Sequence, residues 1–435
     1  MEWQTSLIIT FSVLLVLLMS GMRIFLALTV TGITTIVLWM GFDQSRIMAY
    51  VAWGSLKSYG LAAVPMFVFM GEIIFRGGIS RRVYTGIAPL MERLPGGIMH
   101  TNIAAGAVFA AASGSSLAST ATIGTLALPE MKARGYSMQI AKGSILAGGA
   151  LGILIPPSIT FIIYGIMVEQ SIGRLFIAGV IPGLMLAGLF MLYIGLRLTF
   201  QPHLATKAKE TLPLGAALRR LLAIWPILVL VVIVLGSIYG GIATPTEAAA
   251  MGCLGGFILV AIYRQLSWKV IRESAQGAVR VSSMTLLIFT GAKLMGALLT
   301  NQGVFQKMML WVVSLPVDPY AIFAIIMLMY LILGMFMSGL AAIVITLPIV
   351  FPVIMALGFD PIWFGVVIVL QNECGLLTPP VGTSLYVLHG LRPNEPFSEV
   401  AWGAIPFVGV ILTMLVILVF FPQLALWLPS LMYGA

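Results

Sequence analysis

Charged residues are scarce in this sequence. Only 9% of the 435 residues are Asp, Glu, Lys or Arg, whereas about 25% is usual in a soluble domain. The chain is 60% hydrophobic and its mean hydropathy is +1.09, so a soluble fold would have too little polar surface to cover its apolar side chains. The composition therefore predicts an all-α polytopic membrane protein with the lipid bilayer as its solvent.

Cysteine is also scarce, and this excludes two further classes. Cys253 and Cys374 both lie in apolar segments, so neither a disulfide framework nor a thiolate metal site is expected.

The net charge of +9 could suggest a nucleic-acid partner. The basic residues, however, occur in short runs between apolar stretches, as in the cytoplasmic loops of membrane proteins. We therefore expect no nucleic-acid binding, and residues 5–20 are interpreted as a retained helix rather than a signal peptide.

Segment length predicts the membrane crossings, since a helix needs about 20 apolar residues to cross the bilayer. The predicted crossings are 5–20, 22–40, 50–75, 142–168, 173–196, 223–239, 246–264, 281–301, 363–388 and 403–431. Two further helix pairs are too short to cross singly, each with small polar residues at its turn. They predict re-entrant hairpins at about 98–131 and about 319–357.

Basic residues predict the orientation of these segments. Loops 76–94, 197–220 and 264–280 carry most of the Lys and Arg and are expected to be cytoplasmic. The predicted crossings place all three on one side. Segments 79–93 and 266–280 are amphipathic as well as basic, so they are expected to lie along the inner leaflet. The chain is therefore expected to cross its membrane many times.

An internal repeat relates the two halves at an offset of 223 residues. Gly152 corresponds to Gly375, and Pro156-Pro157 corresponds to Pro379-Pro380. The topology gives the halves opposite orientations, which is the inverted repeat of many secondary transporters. We predict a first repeat over 1–197, a cytoplasmic linker over 198–222 and a second repeat over 223–435.

The two Pro-Pro pairs predict helix breaks within the membrane, in segments 142–168 and 363–388. Proline lacks an amide hydrogen and pushes the preceding residue out of the helical region. Broken backbone is tolerated in a bilayer only where it lines a cavity or is buried in protein. Amides after each break suit a carboxylate, and carbonyls before it suit a small hard cation, as do the hydroxyls at the hairpin turns.

The site predicted from these ends has two parts. The substrate-binding candidates are Ser116, Pro157, Ser158, Thr160, Gly339, Leu340, Gly382 and Thr383. The cation candidates are Ser113, Gly114, Ser115, Gly152, Pro156, Met337, Ser338, Gly375, Thr378 and Pro379, with Glu373 as a further candidate. Glu373 could ligate a cation, relay a proton or pair with a lysine. Glu72 and Lys293 lie on corresponding helices and either pair with each other or are structural charges.

Several motifs resemble the large membrane subunit of tripartite ATP-independent periplasmic (TRAP) transporters. They are Ser113-Gly114-Ser115-Ser116, Leu128-Pro129-Glu130-Met131, the stretches beginning at Gly152 and Gly375, and Gly241-Ile-Ala-Thr-Pro-Thr-Glu247. The resemblance implies a location in a bacterial inner membrane and an elevator-type architecture, with Na+ as the coupling ion at two or more sites and no other cofactor. It also implies two partners, a small four-helix membrane subunit, expected as a separate chain, and a periplasmic substrate-binding protein. Relatives often carry Asn where Gln371 stands here, and Asn372 follows it. The Thr244–Glu247 stretch is expected to cap a helix.

The function predicted from residues and resemblance together is sodium-coupled uptake of a small organic anion, a carboxylate, without enzymatic catalysis. A self-sufficient anion:sodium symporter of related fold is the alternative within transport. An intramembrane enzyme is the alternative from another class, but no His-Glu-x-x-His motif, Ser/Lys dyad spacing or Asp cluster supports it. A channel is disfavoured because rings of charge are missing.

Overall fold

The fold is given by a computed structural model that describes residues 3–41, 45–205 and 212–433. Regular secondary structure in these ranges is entirely helical. The α-helices are α1 (Trp3–Met19), α2 (Ile24–Met40), α3 (Ser45–Leu56), α4 (Ala63–Arg76), α5 (Ile79–Met91), α6 (Ile98–Ser113), α7 (Ser116–Ala133), α8 (Met138–Ala150), α9 (Ile159–Met167), α10 (Ile172–Phe200), α11 (Leu214–Leu221), α12 (Trp225–Tyr239), α13 (Pro245–Ile262), α14 (Trp268–Asn301), α15 (Val304–Ser314), α16 (Pro319–Phe336), α17 (Gly339–Ala356), α18 (Pro361–Leu376), α19 (Thr383–Gly390), α20 (Phe397–Phe420) and α21 (Gln423–Tyr433).

Seven helical stretches in the described ranges are long and apolar enough to cross a membrane. They are Tyr59–Arg76, α10, α13, α14, α16, α17 and α20. The expectation that both arms of the second hairpin are too short to cross singly is therefore wrong, because α16 and α17 have 18 residues each. Helices α1, α2, α6, α15 and α18 are apolar but shorter. This architecture confirms the predicted all-α polytopic membrane fold, while the division into inverted repeats stays a prediction. Part of the predicted linker, at 206–211, lies outside the described residues and includes Lys207 and Lys209 of the basic loop.

Both Pro-Pro pairs interrupt helices, as their sequences predict. The first lies between α8, with its short 3-10 extension Leu151–Ile153, and α9. The second lies between α18 and α19. Both proline pairs are joined by cis peptide bonds. Two residues separate α6 from α7 and α16 from α17, and the two helices of each pair pack on each other, so each pair forms a helical hairpin.

Some predicted boundaries are wrong. The amphipathic segment 266–280 is not a separate surface helix but the first part of α14, which begins where the Val270 amide donates to the Ser267 hydroxyl (3.3 Å). Segment 50–75 is divided by a 3-10 turn over Tyr59–Ala62. The division falls at Ser58, whose backbone is extended. Segment 403–431 ends its first helix before Pro422, which lacks an amide hydrogen and cannot continue the helix.

The helices form two groups, defined by their packing. The framework consists of α1–α4 and α12–α15, in which α14 packs on α2, α3 and α4. The core consists of α6–α10 and α16–α21, in which α8 packs on α6, α7 and α20, and α18 packs on α16, α17 and α20. The two groups meet where α4 contacts α6 and where α14 and α15 contact α17.

Ion pairs connect the first half of the chain to the second half within the core. The Lys142 side chain on α8 is only 2% exposed, and its Nζ lies 2.9 Å from Glu395 Oε2 and 2.6 Å from Glu399 Oε2. Lys132, at the end of α7, donates to Glu395 Oε1 (2.8 Å). Hydrogen bonding from Lys132, reinforced by Lys142, lowers the pKa of Glu395 to about 2. This ion-pair cluster holds the first hairpin against α20.

The expected cap at Thr244 is confirmed. Glu247 Oε2 accepts the Thr244 backbone amide (2.8 Å), and the Glu247 amide donates to Thr244 Oγ1 (3.3 Å). This is a capping box, which satisfies two amides at the start of α13. The motif therefore has a local structural role.

Candidate functional site

The first hairpin turn packs directly on the first helix break. Gly114 ends α6 with φ +60°, and a Cβ there would lie 2.6 Å from the Pro157 carbonyl oxygen. A Cβ on Gly152 would lie 2.8 Å from the Ser115 carbonyl oxygen. Only glycine allows this approach from both sides. Backbone ends of the hairpin and of the broken helix are thereby brought together in the interior of the core.

Serine side chains organise this first junction. Ser115 caps α7 by accepting from the Ala118 amide (3.4 Å), and Ser158 caps α9 by accepting from the Phe161 amide (3.4 Å). The Ser113 hydroxyl lies 3.2 Å from that of Ser119. The caps fix the first turns of α7 and α9, whose remaining free amides give each helix start a partial positive charge.

The second hairpin turn packs on the second break in a corresponding way. Ser338 caps α17 by accepting from the Ala341 amide (3.4 Å). The Gly382 amide, beyond the break, donates to the carbonyl of Met335 near the end of α16 (2.9 Å). Asn372 Nδ2 on α18 donates to the Gly339 carbonyl (2.9 Å). These contacts join the hairpin turn to both sides of the broken helix.

Glu373 links the two junctions. Its side chain is 0% exposed, and the Ser116 hydroxyl of the first hairpin approaches its carboxyl group. Neither carboxyl oxygen makes a hydrogen bond of good geometry within the described part of the chain. A buried carboxyl group without full partners is costly. It therefore marks a position where a cation or a proton would be stabilised.

Each broken helix also contacts the opposite hairpin. Helix α9 packs on α17, and α19 packs on α7. The hairpins and the broken helices therefore pack together as one unit. This unit contains the N-termini of α7, α9, α17 and α19 and the C-termini of α6, α8, α16 and α18. Helix starts attract anions, and helix-end carbonyls attract cations.

The predicted site residues fall into these two junctions. Ser113, Gly114, Ser115, Ser116, Gly152, Pro156, Pro157, Ser158 and Thr160 lie at the first. Met337, Ser338, Gly339, Leu340, Glu373, Gly375, Thr378, Pro379, Gly382 and Thr383 lie at the second. Most are buried, and their roles toward ions and substrate stay predictions.

Of the two alternatives for Glu72, the structure supports the structural charge. Its Oε2 accepts from Arg76 one helical turn on (2.7 Å), not from Lys293, and Arg76 also reaches Glu273 of α14 (3.1 Å). A partner at i+4 on the same helix is close to Glu72 without any rearrangement of the fold.

Sequence reasoning did not assign Asn372, Ser119 and Thr120 to the site. Asn372 Oδ1 and Thr120 Oγ1 are buried without hydrogen-bond partners among the described residues. Thr120 packs against Gly149, the residue 223 positions before Asn372. The repeat offset could have drawn attention to these positions, because 149 and 372 precede the two breaks by the same distance.

Hairpins and broken helices that meet inside an apolar helical protein define the class of polytopic membrane transporters. The sequence matches the family of the tripartite ATP-independent periplasmic transporter, DctM component, over residues 11–424, and the chain belongs to that family.

Two relatives and one solved structure illustrate the similarity. The chain is 35% identical to the C4-dicarboxylate TRAP transporter large permease protein DctM of Pseudomonas aeruginosa, over 93% of this chain and 94% of that protein. It is 32% identical to the 2,3-diketo-L-gulonate TRAP transporter large permease protein YiaN of Escherichia coli, over 93% and 94%. The crystal structure of the Alcanivorax borkumensis YdaH transporter superposes with a TM-score of 0.63 at 15% identity, covering 89% of each chain, which supports the fold. The protein is therefore a multi-pass TRAP transporter permease subunit and not an enzyme.

Proposed function

We propose that this chain catalyses sodium-coupled uptake of a small organic carboxylate across the bacterial inner membrane. The supporting observation is the packing of each hairpin turn on a helix break. At each junction, helix-end carbonyls and Ser hydroxyls, the ligands that a hard cation prefers, lie close together. The starts of α9 and α19 supply amides for a carboxylate.

Sodium occupies the carbonyl side of each junction in this proposal. Ser113, Ser115 and the Gly152 carbonyl are the ligand candidates at the first position. Ser338, the Gly375 carbonyl and Thr378 are those at the second. Glu373 adds a negative charge that either lies beside one ion or forms part of a third position. The substrate carboxylate lies between them, against Ser158, Thr160 and Thr383.

The proposed partners follow from family membership. A small four-helix membrane subunit, as a separate chain, packs on the framework, and a periplasmic binding protein delivers the substrate. Basic loops 76–94, 197–220 and 264–280 face the cytoplasm, and the core moves against the framework in an elevator-type step. The relatives' names, a C4-dicarboxylate and a 2,3-diketo-L-gulonate transporter, support a carboxylate substrate.

Reconstitution of the three proteins in proteoliposomes tests the proposal. Succinate and 2,3-diketo-L-gulonate are the first substrates, each supplied with the cognate periplasmic binding protein. We expect uptake that requires an inward sodium gradient and stops when choline replaces sodium. Uptake at an equal rate without the gradient would reject sodium coupling. Uptake by the chain alone would instead support the self-sufficient symporter.

A further inference from the structure

Two cavities lie along the seam where framework and core meet. The first, of about 630 Å³, is enclosed mainly by α14 and α17, with Lys293, Ala297 and Pro348 in its wall. The second, of about 560 Å³, lies between α4, α5 and α7. Each is therefore bounded by the second arm of a hairpin and by a framework helix. Both volumes fall in the range of small-molecule sites.

The first cavity carries one positive charge. Lys293 is the sole charged residue among the described residues that line it. The second cavity differs, because Arg76 and Arg81 in its wall are balanced by Glu72 and by Glu273, which pairs with Arg76. A positive charge within low-dielectric walls concentrates small anions. The first cavity is therefore the candidate for an anion site.

Lys293 has no carboxylate partner within the described ranges. Its ammonium group lies 5.6 Å from the centre of the Phe289 ring, and no ion pair reaches it. It also borders an adjoining cavity of about 330 Å³, beside Ser55 and Ser58. A half-buried ammonium group among apolar walls is costly when unpaired, and a diffusible anion would remove that cost.

We propose that the cavity between α14 and α17 is an anion vestibule in which Lys293 contacts the substrate carboxylate before it reaches the hairpin turns. The inference rests on the proposed carboxylate transport and adds a framework residue outside the two junctions. Lys293 lies about 12 Å along α14 from its end at Asn301. On the proposed orientation that end is periplasmic, so the vestibule receives substrate from the outside.

Charged thiol reagents test the vestibule without knowledge of the substrate. The variant Ala297→Cys places a thiol one turn from Lys293, on the same face of α14. Cys253, the half-buried native cysteine, is replaced by Ala, whereas Cys374 is fully buried. The reagents are 2-sulfonatoethyl and 2-(trimethylammonium)ethyl methanethiosulfonate, applied to the periplasmic side of cells. The measurement is the ratio of the anionic to the cationic reaction rate.

The added change Lys293→Gln should lower this ratio about fivefold, and Lys293→Arg should keep it. Lys307→Gln is the matched control, because Lys307 is exposed on α15 and does not line the cavity. An unchanged ratio in Lys293→Gln, or labelling from the cytoplasmic side alone, would overturn the vestibule. The Arg variant shows that the helix tolerates substitution there.

Uptake kinetics test contact with the substrate. Lys293→Gln should raise KM for carboxylate uptake several-fold, with Lys307→Gln unchanged and Lys293→Arg close to wild type. An unchanged KM in Lys293→Gln would refute substrate contact while leaving carboxylate transport intact. Absence of uptake in the wild type would refute the proposed function instead, and the reagent ratio would still decide whether the cavity attracts anions.

Discussion

Replacing Gly152 by Ala tests whether the contact between the first hairpin turn and the first break forms a sodium site. The new Cβ would lie 2.8 Å from both the carbonyl carbon and the carbonyl oxygen of Ser115, and 2.8 Å from Ser116 Cα. These are backbone atoms, so no side-chain rotation relieves the overlap. Overpacking of this kind costs about 1–3 kcal/mol. If the hairpin turn moves away to relieve it, the ion loses ligands, and the apparent sodium affinity falls about 5–150-fold.

The assay is the sodium concentration that gives half-maximal uptake in proteoliposomes, together with the rise in Tm that sodium causes in detergent. Gly188→Ala on α10 is the matched control, because a Cβ there meets nothing within 4 Å. Alanine is the better helix former, so the control should be neutral or stabilised by up to about 1 kcal/mol. Wild-type sodium dependence in Gly152→Ala would refute the assignment of the first junction as an ion site.

Three further changes probe the second junction and the ion-pair cluster. Asn372→Ala removes the donor to the Gly339 carbonyl, so we expect about 1–3 kcal/mol lower stability and weaker sodium binding; unchanged sodium titration of Tm would contradict this. Glu373→Gln keeps the size of the side chain but removes its charge, and sodium affinity should fall about tenfold or more; equal affinity would exclude Glu373 as a ligand. Glu395→Gln weakens pairing with Lys132, worth about 1 kcal/mol at a partly exposed site. Because pairing lowers the pKa of Glu395 from 4.5 to about 2, the Tm difference from wild type should be full above pH 4.5 and disappear as the pH falls toward 2; a difference independent of pH would contradict this.

Local signals in the sequence sufficed for much of the fold. Pro156-Pro157 and Pro379-Pro380 fix the two breaks, since proline acts on its own helix and needs no tertiary partner. The small polar turns at Gly114 and Ser338 fix the hairpins for a similar reason. The prediction was wrong where the pattern of one segment was interpreted without the segment that follows it. Segment 266–280 was expected to be separate from the crossing at 281–301, but both belong to the single helix α14.

The contacts of the candidate site could not be predicted in the same way. That Glu373 approaches Ser116 depends on how one half packs across the other, and no spacing within either segment carries that information. The same holds for Lys142, which is buried because two glutamates from the start of α20 and its preceding loop surround it. The choice between the two alternatives for Glu72 also depended on packing, since its ion pair with Arg76, which in turn reaches Glu273, is what makes it a structural charge.

The meeting of Ser116 with Glu373 has a consequence for biosynthesis. Glu373 leaves the ribosome 257 residues after Ser116, which corresponds to about 13–50 s at usual rates of translation. During that interval the first hairpin is already made, yet its polar turn has no α18 or α19 to pack against. The first half of the nascent chain therefore remains in the translocon or the lipid with an incomplete interior, and the permease matures only when the last sixth of the chain, which begins with α18 at Pro361, has been made.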